Sequence, residues 1–131
     1  MCGDVRVDVT ALGPGTSACH CEMCQQWTGG AYVAIHVAHA GATFSGPVKT
    51  HDTSEWARRG WCDTCGSTLF YQMQDSGDYG IAAGLFPDAL QRPITIEDYV
   101  EKAANGVTYT GDHTRLTTQE TLAHFGIPEG E

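Results

Sequence analysis

Basic residues are scarce in this chain, which argues against a nucleic-acid partner. Its 131 residues include 7 Lys and Arg against 16 Asp and Glu, for a formal net charge of -9. Proteins that bind nucleic acid neutralise phosphates with clustered basic side chains. Here the only adjacent basic pair is Arg58-Arg59. We therefore expect no nucleic-acid partner.

Long apolar runs are also missing. No segment approaches the roughly 20 apolar residues that a membrane-spanning helix needs. Residues 1–6 lack the basic stretch followed by an apolar core that is typical of a secretory signal. We therefore expect no membrane partner and a cytoplasmic location. In a reducing compartment, cysteines favour metal binding or catalysis over a disulfide framework.

Internal repeats and low-complexity tracts are absent, and the length fits a single domain over residues 1–131. The chain has 16 glycines and 5 prolines between short apolar runs, which predicts a mainly β fold with many turns. Strands are predicted from alternating, aromatic or β-branched segments at residues 5–9, 31–38, 56–61, 68–71, 79–85 and 93–100.

One helix is predicted near the end of the chain. Thr117-Thr118-Gln119-Glu120 matches a capping box, in which the first and fourth side chains satisfy backbone amides at a helix start. The helix is expected to run through His124 and to stop at Gly126. The tail, residues 129–131, is expected to be mobile.

The cysteine pattern is the most informative feature that the chain does contain. The 6 cysteines divide into one isolated residue, one triplet and one pair: Cys2; Cys19, Cys21 and Cys24; Cys62 and Cys65. A two-residue gap lets a tight turn direct two thiolates at one ion about 2.3 Å away. Cys19 and Cys21 are too close in sequence for a relaxed disulfide. The pattern predicts bound zinc.

Two groupings of these cysteines are possible. A zinc ribbon would place Cys21, Cys24, Cys62 and Cys65 around one structural ion. The segment between its two halves is longer than the roughly 15 to 20 residues usual for that pattern, and two cysteines are left over. The alternative uses every cysteine around two ions, with the triplet on one and Cys2, Cys62 and Cys65 on the other. We favour the second grouping, and a site with three protein ligands keeps a fourth position for substrate.

Four short motifs carry a family resemblance. They are Cys2-Gly3-x-Val5-Arg6, Cys19-His20-Cys21-x-x-Cys24, Thr28-Gly29-Gly30-Ala31 and Arg59-Gly60-Trp61-Cys62-x-x-Cys65-Gly66. Together they resemble the glutathione-dependent formaldehyde-activating enzyme family, whose domain is shared with centromere protein V. The resemblance implies a fold of coiled antiparallel sheets held by zinc. It also implies that the triplet holds the catalytic ion and that Cys2, Cys62 and Cys65 hold a structural one.

The chain departs from the family pattern at two places. Family members usually open with C-x-C, and the first of those cysteines would fall before Met1, which leaves the structural site one thiolate short. Further along, family sequences often read Pro-x-x-His-Ile where this chain reads Pro93-Ile94-Thr95-Ile96. Because of the second difference, the substrate of the family does not carry over to this chain from the motifs alone.

The resemblance implies a carbon-sulfur lyase of the S-(hydroxymethyl)glutathione synthase type. We expect the sulfur of glutathione, or of a similar small thiol, to take the open zinc position as a thiolate and to attack formaldehyde or another small aldehyde, or to leave in the reverse step. The alternative is a non-catalytic zinc module for protein interaction. Redox chemistry at Cys62-x-x-Cys65 is a third reading, which lacks the βαβ context of thioredoxin-like motifs.

We expect substrate contacts from cations and backbone amides, because the thiolate of the substrate adds a further negative charge to the metal site. The candidates are Lys49, Arg58, Arg59 and the amides around Thr28-Gly29-Gly30. For the arginines, a solvated strand edge is the favoured interpretation, because charged side chains are mostly exposed. His20 lies between two ligands, so its side chain is expected to point away from the metal. The three tryptophans are expected either to line a pocket near the metals or to fill the core.

Overall fold

Ten short strands and three short α-helices make up the structure, a computed structural model that describes residues 1–128. The expectation for the tail at 129–131 lies outside the described residues. The strands are β1 (Arg6–Val9), β2 (Thr16–Cys19), β3 (Tyr32–Val37), β4 (Ala42–Ser45), β5 (Val48–Asp52), β6 (Ala57–Cys62), β7 (Thr68–Met73), β8 (Tyr79–Ala82), β9 (Ile94–Asp98) and β10 (Thr114–Arg115). The helices are α1 (Glu22–Thr28), α2 (Pro87–Leu90) and α3 (Thr118–Phe125). The predicted mainly β fold is confirmed.

Eight of the strands form one sheet, in the order β10-β9-β2-β3-β8-β7-β6-β5, and β1 pairs with β4 in a separate antiparallel ribbon. Most neighbours in the large sheet are antiparallel, and β5, β6, β7 and β8 follow one another as hairpins. The exceptions both involve β9, which lies parallel to β10 and to β2 and brings Asp98 opposite Cys19. This pairing joins a late segment of the chain to the cysteine triplet.

The core lies between the ribbon and the large sheet. Ile35, Phe70 and Ile81 are fully or almost fully buried there. The ring of Phe70 packs at 4.8 Å from Phe44 and at 5.1 Å from Tyr79, measured between centroids. Such tilted aromatic pairs add to the free energy gained by burial. They fix β7 against the ribbon and so set the position of the neighbouring strand β6.

The capping-box prediction is confirmed at α3. The hydroxyl of Thr117 accepts a hydrogen bond from the Glu120 amide, and the Glu120 carboxylate accepts one from the Thr117 amide. The helix ends at Gly126, as predicted. The strand predicted over residues 79–85 stops at Ala82, because the next three residues form a 3₁₀ turn. Within residues 1–128, no helix has both the length and the apolar character needed to cross a bilayer.

Candidate metal and substrate site

The cysteine triplet is assembled by a strand, a tight turn and a helix start. Cys19 ends β2, and Cys21 caps α1, where its sulfur accepts a hydrogen bond from the Cys24 amide at 3.4 Å. Gly29 ends the helix with φ of 85°, a left-handed conformation that favours glycine. The three sulfurs all lie within 4.8 Å of one another. Local sequence alone therefore builds this trio.

The second trio combines the β6–β7 hairpin with the start of the chain. Between the two strands, the Gly66 amide donates to the Cys62 carbonyl at 2.8 Å, and Gly66 adopts φ of 78°. This knuckle presents Cys62 and Cys65 on one side. Cys2 reaches them from the ribbon end, with its sulfur 3.7 Å from that of Cys62. The knuckle is the tip of the hairpin formed by the strands predicted at residues 56–61 and 68–71.

The two groups of sulfurs match the two-ion grouping of the sequence analysis. In the part of the chain that the structure describes, the clusters able to hold a metal are these two trios, and the ribbon set is not brought together. All six thiols are free. Three soft thiolate donors converging within a few ångströms are the donor chemistry that suits zinc. The residues therefore fit the metal that the sequence predicts.

Arg59 is buried beside the triplet, which corrects the interpretation of a solvated strand edge. Its side chain is only 4% exposed, because its face of β6 packs against α1. Nη2 lies 3.5 Å from the sulfur of Cys24, and Nη1 donates to the hydroxyl of Thr53 at 2.6 Å. The guanidinium also stands between two aromatic rings, 5.1 Å from Trp27 and 5.2 Å from Tyr71. Cation–π contact strengthens when the cation is shielded from water.

The neighbouring residue Arg58 differs from Arg59 in its exposure, its partner and the face of β6 on which it lies. The side chain is 41% exposed, and Nε pairs with Asp52 at 3.2 Å. Successive residues of a strand point to opposite faces, so the two arginines lie on opposite faces of β6. For Arg58, the interpretation as a solvated surface residue is correct.

An open cavity of about 550 Å³ lies next to Arg59. Its walls come from α1, β5, β6 and the knuckle after Cys65, and two of these segments carry Cys24 and Cys62, although none of the six cysteines lines the cavity itself. The residues that line it are Met23, Gln26, Trp27, His51, Thr53, Arg59, Trp61, Gly66 and Thr68. Trp27 and Trp61 are therefore pocket residues, whereas Trp56 is not among the lining side chains.

Comparison with known proteins identifies the family. The sequence model of the glutathione-dependent formaldehyde-activating enzyme family matches residues 1–102. The chain belongs to this family. An uncharacterized lyase of Schizosaccharomyces pombe is 27% identical over 88 residues, which cover 66% of this chain and 64% of that protein. The chain thus spans less than two thirds of that relative's length.

A solved structure shares the fold of this member of the formaldehyde-activating family. The crystal structure of a Rhodobacter sphaeroides protein superposes with a TM-score of 0.55 at 18% identity, and the match covers 88% of this chain and 94% of that one. At that level of identity the likeness concerns the fold alone.

Ionisation within the triplet of this family member is uneven. Hydrogen bonds from the thiols of Cys19 and Cys24 lower the pKa of Cys21 to about 2. The same contact with Cys21 raises the pKa of Cys19. The neighbouring thiols therefore favour the thiolate form of Cys21. A metal ion that binds the triplet would displace the protons of the other two thiols. At the second trio, the hydroxyl of Ser67 lowers the pKa of the Cys65 thiol to about 5.

A buried carboxylate behind the triplet was missed by the sequence analysis. Glu97 is 4% exposed and accepts hydrogen bonds from Nε2 of both His20, at 2.8 Å, and His113. Nε of Arg115 lies 3.2 Å from the same carboxylate. Burial alone raises the pKa of Glu97, and the hydrogen bonds from His113 and His20 outweigh it, so that the pKa lies below its usual value. His20 therefore points away from the sulfurs, as predicted, and is held by Glu97.

The amides at Gly29 and Gly30 already have internal partners. The Gly29 amide donates to the Gln25 carbonyl at 2.8 Å, and the Gly30 amide donates to the Thr28 hydroxyl at 3.3 Å. Neither residue lines the cavity. A methyl group added at either position would meet no heavy atom within 4 Å, so the surface beside both glycines is open.

Proposed function

We propose that this chain is a zinc-dependent carbon-sulfur lyase or synthase of the S-(hydroxymethyl)glutathione synthase type. It would act on adducts of glutathione, or of a similar small thiol, with formaldehyde or another small aldehyde. Membership of the formaldehyde-activating family and the lyase name of the yeast relative support this class of reaction. The observation that carries the proposal is the trio of Cys19, Cys21 and Cys24 next to an open cavity, with Arg59 bordering both.

The ligands of the two ions are assigned as part of the proposal. Cys19, Cys21 and Cys24 would hold the catalytic zinc, and Cys2, Cys62 and Cys65 would hold a structural one. When bound at the triplet, zinc would supply Lewis acidity that favours the thiolate form of a substrate sulfur at the remaining coordination position. The six free thiols also suit a reducing compartment such as the cytoplasm.

The reaction conserves atoms and charge without an oxidant or reductant. In synthesis, the thiol loses its proton, the sulfur electron pair forms a bond to the aldehyde carbon, and the carbonyl oxygen takes up a proton as its π bond breaks. In cleavage, the hydroxyl gives up its proton, the carbon-sulfur bond breaks and sulfur leaves with the electron pair. Holding both reactants in the cavity replaces a bimolecular encounter by a positioned one.

Arg59 has an electrostatic role in this proposal. Three cysteine thiolates and a substrate sulfur place several negative charges in a partly buried site, which is costly without a nearby cation. The guanidinium lies at hydrogen-bonding range from the Cys24 sulfur and faces the cavity. It is therefore positioned to offset charge on the incoming sulfur as well. We retain Gly29 and Gly30 as proposed substrate contacts at the open surface beside α1.

The Cys21→Ser variant tests the proposal. We expect a loss of at least about 100-fold in catalysed exchange between free formaldehyde and its glutathione adduct, since one ligand of the reacting site is gone. Exchange is measured by NMR with ¹³C-formaldehyde, because the uncatalysed reaction is also observable. Circular dichroism should be unchanged, and zinc content should fall by one ion.

The Cys65→Ser variant is the matched control at the other trio. We expect it to lower thermal stability and to affect exchange less than Cys21→Ser does. Full exchange activity in Cys21→Ser would overturn the lyase proposal. Unfolding of that variant, together with no catalysis by the zinc-loaded protein, would favour the non-catalytic interaction module instead.

A further inference from the structure

Most of the wall area of the cavity is apolar, and its polar side chains, Gln26, His51, Thr53, Arg59 and Thr68, carry little charge. Trp27 and Met23 of α1 face Trp61 of β6 across it. Arg59 is its only lysine or arginine, and no carboxylate lines it within the described residues. His51 at the rim is the other titratable side chain. Pockets of this composition bind ligands chiefly through apolar and aromatic contact.

The one cation in the cavity is already engaged by other side chains. The polar hydrogens of Arg59 that have partners are directed at Cys24, Thr53 and the sulfur of Met23. Its Nε is buried and has no partner among the described residues. With both Nη groups engaged and Nε shielded from solvent, the guanidinium does not present an accessible bidentate edge to a carboxylate.

The remaining lysines and arginines are engaged elsewhere or lie away from the cavity. Three of them form ion pairs with acidic side chains: Lys49 with Asp63, Arg58 with Asp52 and Lys102 with Glu22. Arg92 donates to two backbone carbonyls, and Arg115 pairs with Glu97. Arg6 lies on β1 beside the second cysteine trio.

Lys49 lies on the same face of β5 as a residue of the cavity wall, and its exposed position limits the charge that it can offer to a ligand. It shares a face of β5 with His51, since the two residues alternate along the strand. Its Nζ lies 3.6 Å from Asp63, and the side chain is 63% exposed. An exposed pair of this kind is screened by water and salt. Lys49 can therefore reach at most one anionic group at the rim.

Glutathione has two carboxylates, and this cavity offers them poor complementarity. The formal net charge of -9 also opposes the approach of an anion. We infer that, within the proposed function, the cavity selects a thiol with a small apolar or aromatic body and no more than one anionic group, in preference to glutathione. Trp27, Trp61 and Met23 would contact that body while the sulfur lies toward Cys24. The inference rests on the proposed function and narrows its thiol.

Binding to the zinc-loaded protein tests the inference directly. The probes are benzyl mercaptan, which is apolar and uncharged, and glutathione. We expect the dissociation constant of benzyl mercaptan to be at least about tenfold lower, measured by calorimetry and by quenching of tryptophan fluorescence. Tighter or equal binding of glutathione, or no detectable binding of benzyl mercaptan, would overturn the inference.

A charge added to the wall supplies a second test with a matched control. The His51→Arg variant places a permanent cation at the rim, whereas Thr50→Arg adds the same charge on the opposite face of β5. We expect His51→Arg to tighten glutathione binding at least about threefold relative to Thr50→Arg, and high salt to reduce that difference. Equal effects of the two variants would contradict a deficit of positive charge at this wall.

Turnover separates this inference from the function on which it rests. If benzyl mercaptan binds more tightly but exchange with formaldehyde is not catalysed for either thiol, the lyase proposal fails and the choice of thiol stands. If exchange is catalysed with a higher kcat/KM for glutathione than for benzyl mercaptan, the choice of thiol fails and the lyase proposal stands.

Discussion

The guanidinium Nη2 of Arg59 lies 3.5 Å from the sulfur of Cys24, across 35 positions of sequence. This contact links the β6 strand to α1 and places a buried positive charge against the cysteine triplet. When a charge-assisted hydrogen bond stabilises a thiolate, the corresponding thiol gives up its proton more readily. Arg59 is therefore expected to affect how tightly the triplet holds a metal.

Replacement of Arg59 by Met removes that charge while keeping an unbranched side chain. We expect zinc affinity at the triplet to fall by about 10- to 100-fold, the range typical of residues that support a metal ligand. Competition with a chromophoric chelator measures it. The other trio should keep its affinity.

The control for this prediction is Arg58→Met, which removes the same charge from the opposite face of β6. Its partner Asp52 is exposed, so the change in unfolding free energy should stay within about 0.5 kcal/mol. Equal losses of zinc affinity in the two variants would contradict a specific effect of Arg59.

Replacement of Glu97 by Gln should change how stability depends on pH. The folded-state pKa of Glu97 lies below the ordinary value of 4.5, so the unfolded chain binds more protons between those two pKa values. The stabilisation from Glu97 is complete above about pH 4.5 and is lost as the pH falls through the folded-state pKa. We expect Glu97→Gln to cost about 1–3 kcal/mol at pH 7 and to flatten the acid limb of the stability profile.

Chemical denaturation at several pH values measures this effect, with the exposed Glu55→Gln as the matched control. An acid limb in Glu97→Gln with the same slope as in the parent protein would show that other groups produce it.

Replacement of Gly60 by Ala should overpack the core. A methyl group at this position would lie 2.6 Å from Cε1 of Phe70, a buried ring held by Phe44 and Tyr79. Overpacking of this kind costs about 1–3 kcal/mol of unfolding free energy. Gly84→Ala is the control, since a methyl group there meets no heavy atom within 4 Å. Thermal denaturation that finds both variants equally stable would contradict the packing around Phe70.

Removal of zinc should lower the stability of the whole domain. A metal that binds only the folded state stabilises it in proportion to the logarithm of its free concentration, and the trio of Cys2, Cys62 and Cys65 joins the start of the chain to the β6–β7 hairpin. We expect a chelator to lower Tm, and added Zn²⁺ but not Mg²⁺ to restore it, because thiolates discriminate against hard cations. An unchanged Tm in zinc-free protein would count against metal at either trio.

The sequence predicted the features that depend on neighbouring residues. The spacing of Cys19, Cys21 and Cys24, and the hairpin around Cys62 and Cys65, are set by tight turns and helix capping. The capping box at Thr117 is equally local. The separation of the six cysteines into two trios followed from the excessive spacing that a zinc ribbon would require.

The burial of Arg59 and the network around Glu97 could not be predicted in this way. Both depend on contacts between segments that are distant in sequence. Arg59 is buried because its face of β6 packs against α1, and Glu97 meets His20 because β9 pairs in parallel with β2 across 77 positions. Periodicity shows that a segment is a strand and does not identify its partner.

The distance along the chain from Cys2 to Cys62, which is 60 positions, implies an order of assembly during synthesis. The trio at Cys19 to Cys24 is contained in a single turn and can capture an ion soon after it leaves the ribosome. The other trio must wait for the β6–β7 hairpin, and closing a loop about ten times longer costs roughly 2 kcal/mol more in chain entropy. For the two ions proposed above, loading is therefore expected to be sequential. The ion at Cys2, Cys62 and Cys65 would bind last and would hold the start of the chain against the β6–β7 hairpin.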